Sequence, residues 1–212
     1  AARPVSEVLQ AVSYLLRFLC SSAIRSRIHS RPLYNTRSLF ASPAMLFEPT
    51  TLAATASAIA ESLEHYGCDA ASLFERAGLD VTAIQQPGAR FPTRSMIELW
   101  RVIREETQDP AIGVLVGQKM RPSALHALGL AWISSPTLLD GLRRIQRYAQ
   151  VANTILQLDV IEQADRVVLV IDQSESELRL TAEAIDAAMS VVVAMCRSMS
   201  NPHFAPVNVT LR

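Results

Sequence analysis

Residues 154–172 read TILQLDVIEQADRVVLVID, and the period of that stretch decides the fold. Leu156, Leu158 and Val160 alternate with Gln157 and Asp159, as expected of a strand with one wet face. Val167 to Ile171 is a run rich in β-branched residues, and the short polar segment between the two runs reads as the turn of a hairpin. Upstream the period is helical. Leu52, Ala56, Ile59, Leu63 and Tyr66 recur at spacings of four and three, so from Thr50 they share one helix face. Gly67 supplies a left-handed stop. Asp69 caps a second helix with Leu73, Phe74 and Ala77 inward, ended by Gly78. Thr93 opens another, with Met96, Leu99, Trp100 and Ile103 as its apolar stripe. Asp109-Pro110 is a cap followed by proline at the first helical position, and Ser123 and Ser135-Pro136 repeat the device for helices near 124–134 and 136–150. Downstream of the hairpin a long helix, roughly 177–200, carries Ile185, Met189, Val192, Cys196 and Met199 at intervals of four and three, and Asn201-Pro202 stops it. Val207, Val209 and Leu211 alternate once more, giving an expected C-terminal strand at about 206–211. Segregated helices beside a small antiparallel sheet make this an α+β chain, mostly helical, with the hairpin over about 154–172.

Composition narrows the class of function. The 212 residues are half hydrophobic and 19% charged, which suits a globular domain with a real core. Lys+Arg and Asp+Glu both number 20, so the basic excess that a compact nucleic-acid-binding domain needs is absent overall. Cys20, Cys68 and Cys196 are odd in number, far apart and without CxxC spacing. That excludes a disulfide framework and a thiolate zinc site within the chain, and fits a reducing, cytoplasmic setting. The longest uncharged run, 122–139, is punctuated by Gly129, Ser134, Ser135 and Pro136, so it reads as two buried helices rather than a membrane span.

The balanced charge is unevenly spread. Residues 1–44 hold six arginines (Arg3, Arg17, Arg25, Arg27, Arg31 and Arg37) against Glu7 alone, and the remainder carries the opposing acidic excess. This serine-rich extension is expected to be poorly structured. It has three readings: an organelle transit peptide, a basic arm for anionic partners, or a non-native leader with Met45 as the natural first residue. A secretory signal does not fit, because the apolar patch from Val12 to Leu19 is short and interrupted by Arg17. The organised domain is expected over 45–212.

Catalytic signatures are missing. Seven scattered glycines form neither GxGxxG nor GxxxxGK, and no HExxH or GxSxG occurs. His65 and Cys68 are three apart, but Gly67 breaks the helix that would align them, so no metal and no cofactor is expected. Arg143, Arg144 and Arg147 give one helix a basic face, either for phosphate contact or as a solvated surface paired with nearby acids. His126 sits in an apolar stretch with Trp132 close behind; it is either a hydrogen-bonded core histidine or one polar group of a small-molecule pocket. Tyr148 and Asn153 flank the step from helix to hairpin and could line the same cavity or act as a capping pair.

Five segments, in this order, are similar to one family: HYGCDAASLFERAGLD (65–80), RFPTRSMIELW (90–100), ETQDPAIGVLVGQKMRP (106–122), LGLAWISSPTLLDGLRRIQRYAQ (128–150) and PVNVTLR (206–212). Together they resemble the N-terminal regulatory domain of AraC/XylS transcription regulators, in the branch labelled arabinose-binding. The likeness spans most of 45–212 and none of 1–44. It implies a bacterial one-component sensor that is no enzyme, whose N-terminal domain binds a small effector of unknown class and forms a homodimer. Family members continue beyond this point into a helix-turn-helix domain, so DNA would be reached only through a C-terminal domain that this sequence lacks. The final strand's missing partners would leave a sheet edge open. The residues singled out for the ligand site are Arg90, His126, Trp132 and Tyr148. Arg90 follows Pro87-Gly88 and could anchor an anion through a bidentate contact, or serve an interdomain or helix-end contact. The long helix 177–200 is the candidate dimer surface, unless its Met/Val stripe is core. Two other functions compete: an interaction scaffold, which calls for a solid core, and a small enzyme, which calls for His126 beside a buried carboxylate in an open cleft.

Overall fold

The structure, a computed structural model, describes residues 48–173 and 177–210. The three readings of residues 1–44, like Leu211, lie outside the described residues. Every helix and strand among them falls within Glu48–Ala205.

That region opens on a strand, not on the helix expected from Thr50. β1 (Thr50–Leu52) runs antiparallel to β2 (Arg90–Pro92), with Thr51 opposite Phe91. A three-residue strand is too short to show a period, and its partner lies 40 residues away, so only tertiary pairing reveals it. A 3₁₀ turn (Ala53–Ala56) leads into α1 (Ser57–His65), followed by α2 (Ala70–Arg76) and a second 3₁₀ turn (Val81–Gln85). After β2 come α3 (Thr93–Thr107), α4 (Ile112–Lys119), a 3₁₀ turn (Pro122–Leu125), α5 (Ala127–Ile133) and α6 (Leu138–Ala152). The hairpin β3 (Leu156–Glu162) and β4 (Val167–Gln173) precedes the long α7 (Ala182–Met199).

Local chemistry explains the boundaries. Gly67 and Gly78 end their helices at φ +68° and +71°, the left-handed stops expected of them. Asp69 accepts from the Ala71 amide at 3.1 Å to start α2. Thr137 accepts from the Asp140 amide at 3.1 Å, which moves the start of α6 two residues past Ser135-Pro136. Thr181 does the same for Ala184 at 3.3 Å, so the long helix begins at Ala182 rather than near 177. The helix expected near 124–134 is broken at His126, whose φ of 49° and ψ of −123° separate the 3₁₀ turn from α5.

The hairpin follows the alternation: Leu158 is buried while Gln157 and Asp159 face solvent, and Leu158 pairs with Ile171. The expected C-terminal strand does not form over 206–210, which are irregular, with Val207 fully exposed. Alternation alone does not make a strand; a ladder needs a partner, and Pro206 brings no amide donor to one. The described strands thus form two two-stranded antiparallel sheets, β1–β2 and β3–β4.

Two clusters of buried side chains make the core. The first gathers Ile59, Leu63, Phe74, Leu99, Ile103, Ile112 and their neighbours from α1 to α4, and takes in Ala187 of α7. The second gathers Leu128, Trp132, Leu142, Ile145 and Leu158 from α5, α6 and the hairpin, and takes in Met195 and Cys196 of α7. One helix therefore belongs to both. It is fixed to α4 by close approach: a Cβ added at Gly113 would stand 2.1 Å from the Glu183 carbonyl oxygen, and one at Gly117 2.5 Å from that of Ala187. Ser190 Oγ then donates to the Val114 carbonyl at 2.9 Å across the same seam. Among the described residues no helix is long and apolar enough to cross a membrane.

Candidate functional site

A cavity of about 160 Å³ lies between the two clusters. Ile59, Met96, Trp100 and Val116 wall it from the first, and Leu125, Leu128, Ile145, Ala149 and Leu158 from the second. α7 supplies a third wall through Ala184, Ala187, Ala188, Val191, Val192 and Met195. The alanines at 184, 187 and 188 keep this side of the helix low, and the space remains because α4 holds the helix axis in place.

None of the 24 described residues that line the cavity is ionisable. Its polar side chains are Thr51, Thr55 and Asn153. Two of them stand together, Asn153 Nδ2 donating to Thr51 Oγ1 at 3.1 Å, while Thr55 Oγ1 donates to the Leu52 carbonyl at 2.6 Å. Asn153 Oδ1 accepts from the Ile155 amide at 3.0 Å, which turns the chain from α6 into the hairpin. Capacity is left over in this group: the Thr51 hydroxyl proton, a second Asn153 N–H and the lone pairs of Thr55. Asn153 follows the last residue of α6 and lines the cavity, whereas Tyr148 does not line it.

The four residues singled out from sequence are not brought together, and none lines this cavity. Arg90 reaches the end of α6: Nη1 donates to the Val151 carbonyl at 2.8 Å, while Nε and Nη2 donate to Thr50 Oγ1 and the Thr50 carbonyl at 2.6 and 3.2 Å. A guanidinium at a helix C-terminus also meets the negative end of the dipole. His126 is exposed at the break before α5. Trp132 is wholly buried in the second cluster against the backbone of Gly141, and its Nε1 has no hydrogen-bond partner. Tyr148 is 46% exposed on the outer face of α6.

Two of the three arginines on the basic face of α6 are held by partners. Arg143 bridges Glu162 and Asp140, and Arg144 donates to the Ala131 carbonyl at 2.7 Å. Burial pushes the Cys196 thiol up to about 11, which leaves it a small inert core side chain. Burial and the 2.5 Å hydrogen bond it donates to Asp109 raise the Tyr66 hydroxyl well above its ordinary range, so the phenol stays protonated and ties the end of α1 to the loop before α4. Among the described residues no three His, Cys, Asp or Glu side chains are grouped to hold a metal ion.

Sequence reasoning missed Thr51 and Thr55 because their strand and 3₁₀ turn carry no periodic signal. The small-residue face of α7 was visible, since Ala184, Ala187 and Ala188 recur at helical spacing, but a stripe of alanines does not announce an empty space beside it.

Comparison with known proteins bears directly on this arrangement. The model of the arabinose-binding domain of AraC transcription regulators, N-terminal, matches residues 67–212. The ornithine utilization regulator of Pseudomonas aeruginosa is 26% identical over 141 residues, covering 66% of this chain and 39% of that protein. The chain therefore spans about two fifths of the length of that curated relative. The matched residues hold α2 to α7 and the hairpin, hence most of the cavity wall, whereas Thr51, Thr55 and Ile59 lie before them. With most of its length matched, the chain belongs to the family of N-terminal arabinose-binding domains of AraC transcription regulators, a regulatory and not an enzymatic family.

Proposed function

We propose that this chain is the effector-sensing and dimerisation module of a bacterial, cytoplasmic AraC-type regulator, spanning about 45–212, and that the cavity between the two core clusters is its effector site. The observation that carries the reading is the position of that cavity. A guest there touches both clusters and α7 at once, so its binding free energy favours one placement of the helix over others. An interaction scaffold without a guest calls for a solid core, and the open seam argues for sensing.

In this reading DNA is read by a separate domain of the full regulator, and α7 joins two copies. Ile185 and Met189 on α7 belong to neither core cluster, which supports their facing a second copy. Arg90 serves as a positioning residue, holding β1 to the end of α6 so that Thr51 and Asn153 meet.

Thermal denaturation against amino acids, amines, fatty acids, sugars and neutral aromatic and aliphatic compounds tests the module as a sensor. A ligand at a hundredfold excess over its Kd should add about 2.7 kcal/mol of stability. Absence of response to every class overturns the reading. Sedimentation equilibrium checks the dimer, and Met189→Glu should shift it toward monomer.

A further inference from the structure

Resting on that reading, we infer that the effector is an uncharged, largely apolar molecule, about one substituted ring in size, bearing a single neutral polar group that meets Thr51, Thr55 and Asn153. Three observations set this class. The first is charge. Among the described residues no Asp, Glu, Lys, Arg or His lines the cavity, so a carboxylate or ammonium would enter without the partner that burial of a charge demands. A free amino acid carries both. Its backbone charges alone would exclude it here, whatever its side chain.

The second is the number and placement of polar groups. A sugar brings a hydroxyl on nearly every carbon, and each buried hydroxyl needs a partner. Among the described residues the cavity provides three polar side chains, two of them joined by a hydrogen bond, and apolar walls elsewhere, so most hydroxyls of a sugar would go unmet. One hydroxyl or carbonyl, in contrast, is well served: Thr51 or Asn153 can donate to it, and Thr55 can accept from it. The family label and the name of the Pseudomonas aeruginosa relative therefore do not extend to the ligand of this chain.

The third is size. A space of about 160 Å³ matches that of the roughly 150 Å³ engineered apolar cavities that stay dry and take up benzene. Met96, Met120 and Met195 in the wall are flexible side chains that adjust to a substituent.

The test uses matched compounds on the chain as it stands: toluene, benzyl alcohol, benzoate and benzylammonium, with 1-octanol, ornithine and arabinose alongside. Binding is read by thermal shift and by tryptophan emission, to which Trp100 in the wall contributes. Benzyl alcohol should bind at least tenfold more tightly than benzoate or benzylammonium, and ornithine and arabinose should leave both signals unchanged. Thr51→Val should weaken benzyl alcohol about fivefold, the worth of one neutral hydrogen bond, and leave toluene within twofold. Ala188→Leu fills the space from α7 and should abolish binding of both. Ala152→Leu does so from α6 and serves if the first variant does not fold.

A charged member that binds as tightly as its neutral match overturns the ligand class. So does saturable binding of ornithine or arabinose that Ala188→Leu removes, an outcome that leaves the sensing reading standing. If no compound in the set binds, 1-octanol included, the cavity is not a ligand site and both readings fall.

Discussion

The two flanks of α7 are packed in opposite ways. One flank, Glu183, Ala187 and Ser190, lies so close to α4 that Gly113 and Gly117 have no room for a Cβ. The adjoining flank, Ala184, Ala188, Val191 and Met195, looks onto the cavity. Both flanks carry alanines, Ala187 on the first and Ala184 and Ala188 on the second, so residue size alone does not decide which becomes a void. The difference lies in what faces them. Opposite the first flank are glycines, which let two backbones meet. Opposite the second are side chains of α3, α6 and the hairpin, whose backbones are held apart by their own core clusters. A helix pinned on one side and facing open space over part of the other is a lever that a guest can load, which is how a packed interior can respond to a small molecule.

The largest effect should come from removing the pin. Gly113→Ala sets a methyl against backbone, where nothing can swing aside, and should destabilise the domain by about 3 kcal/mol in urea denaturation. A loss below about 0.5 kcal/mol would mean that α4 and α7 separate freely, and the contrast between the flanks would vanish. On the other flank the sign reverses. Ala188→Leu adds apolar carbon to open space and should stabilise by about 1 kcal/mol, the converse of a cavity-forming truncation. Should Ala188→Leu cost as much as Gly113→Ala, the cavity would be no wider than the glycine seam.

How much of this contrast sequence alone conveys depends on what made each feature. The helices and the hairpin were legible because amphipathic periods and caps are local: Leu156, Leu158 and Val160 sit where alternation puts them. β1 and β2 were not, since Thr50–Leu52 and Arg90–Pro92 acquire meaning only by pairing with each other. Val207 and Val209 show the reverse error, an alternation without a ladder partner. The cavity was harder still. It is a failure of surfaces from three separate elements to meet, and no single segment records that. Polar and aromatic residues in apolar surroundings, such as His126 and Trp132, drew attention by their chemistry. The cavity wall is instead made of residues that look like ordinary core, and its polar corner comes from threonines in a strand too short to detect.

His126 offers a smaller test of how the cavity's third side is held. Leu125 and Leu128 line the space, and between them His126 takes φ 49° and ψ −123°, a conformation that costs a side chain about 1 kcal/mol or more. His126→Gly should recover about 1 kcal/mol, read as a rise in the urea midpoint, because the histidine is exposed and surrenders no packing. If the strained turn also sets the position of Leu125 and Leu128, the same variant will loosen binding of an apolar probe while the protein becomes more stable. A change in stability with unaltered binding would place the constraint elsewhere, in α6.

The smallest effect probes the pinned flank through its charges. Asp186 is half-buried on α7; burial raises its carboxyl above the ordinary value, and repulsion from Glu183 adds to the rise. Glu183 is itself buried and bridges Arg104 at 2.9 Å, so it is anchored and cannot move off to relieve its neighbour. The folded state thus holds the Asp186 proton more tightly than the unfolded chain does. Its contribution to stability is fully present below the ordinary aspartate value of about 3.9 and is lost as pH rises through the raised value. At neutral pH the ionised group is a net cost, and Asp186→Asn should remove it. Solvent over the exposed half limits the gain to about 0.5 kcal/mol at pH 7, shrinking toward zero at pH 4. Urea midpoints of the two proteins at both pH values decide the matter. A gain that does not depend on pH would show that packing, not charge, governs this flank, and would assign the whole contrast between the two sides of α7 to the glycines.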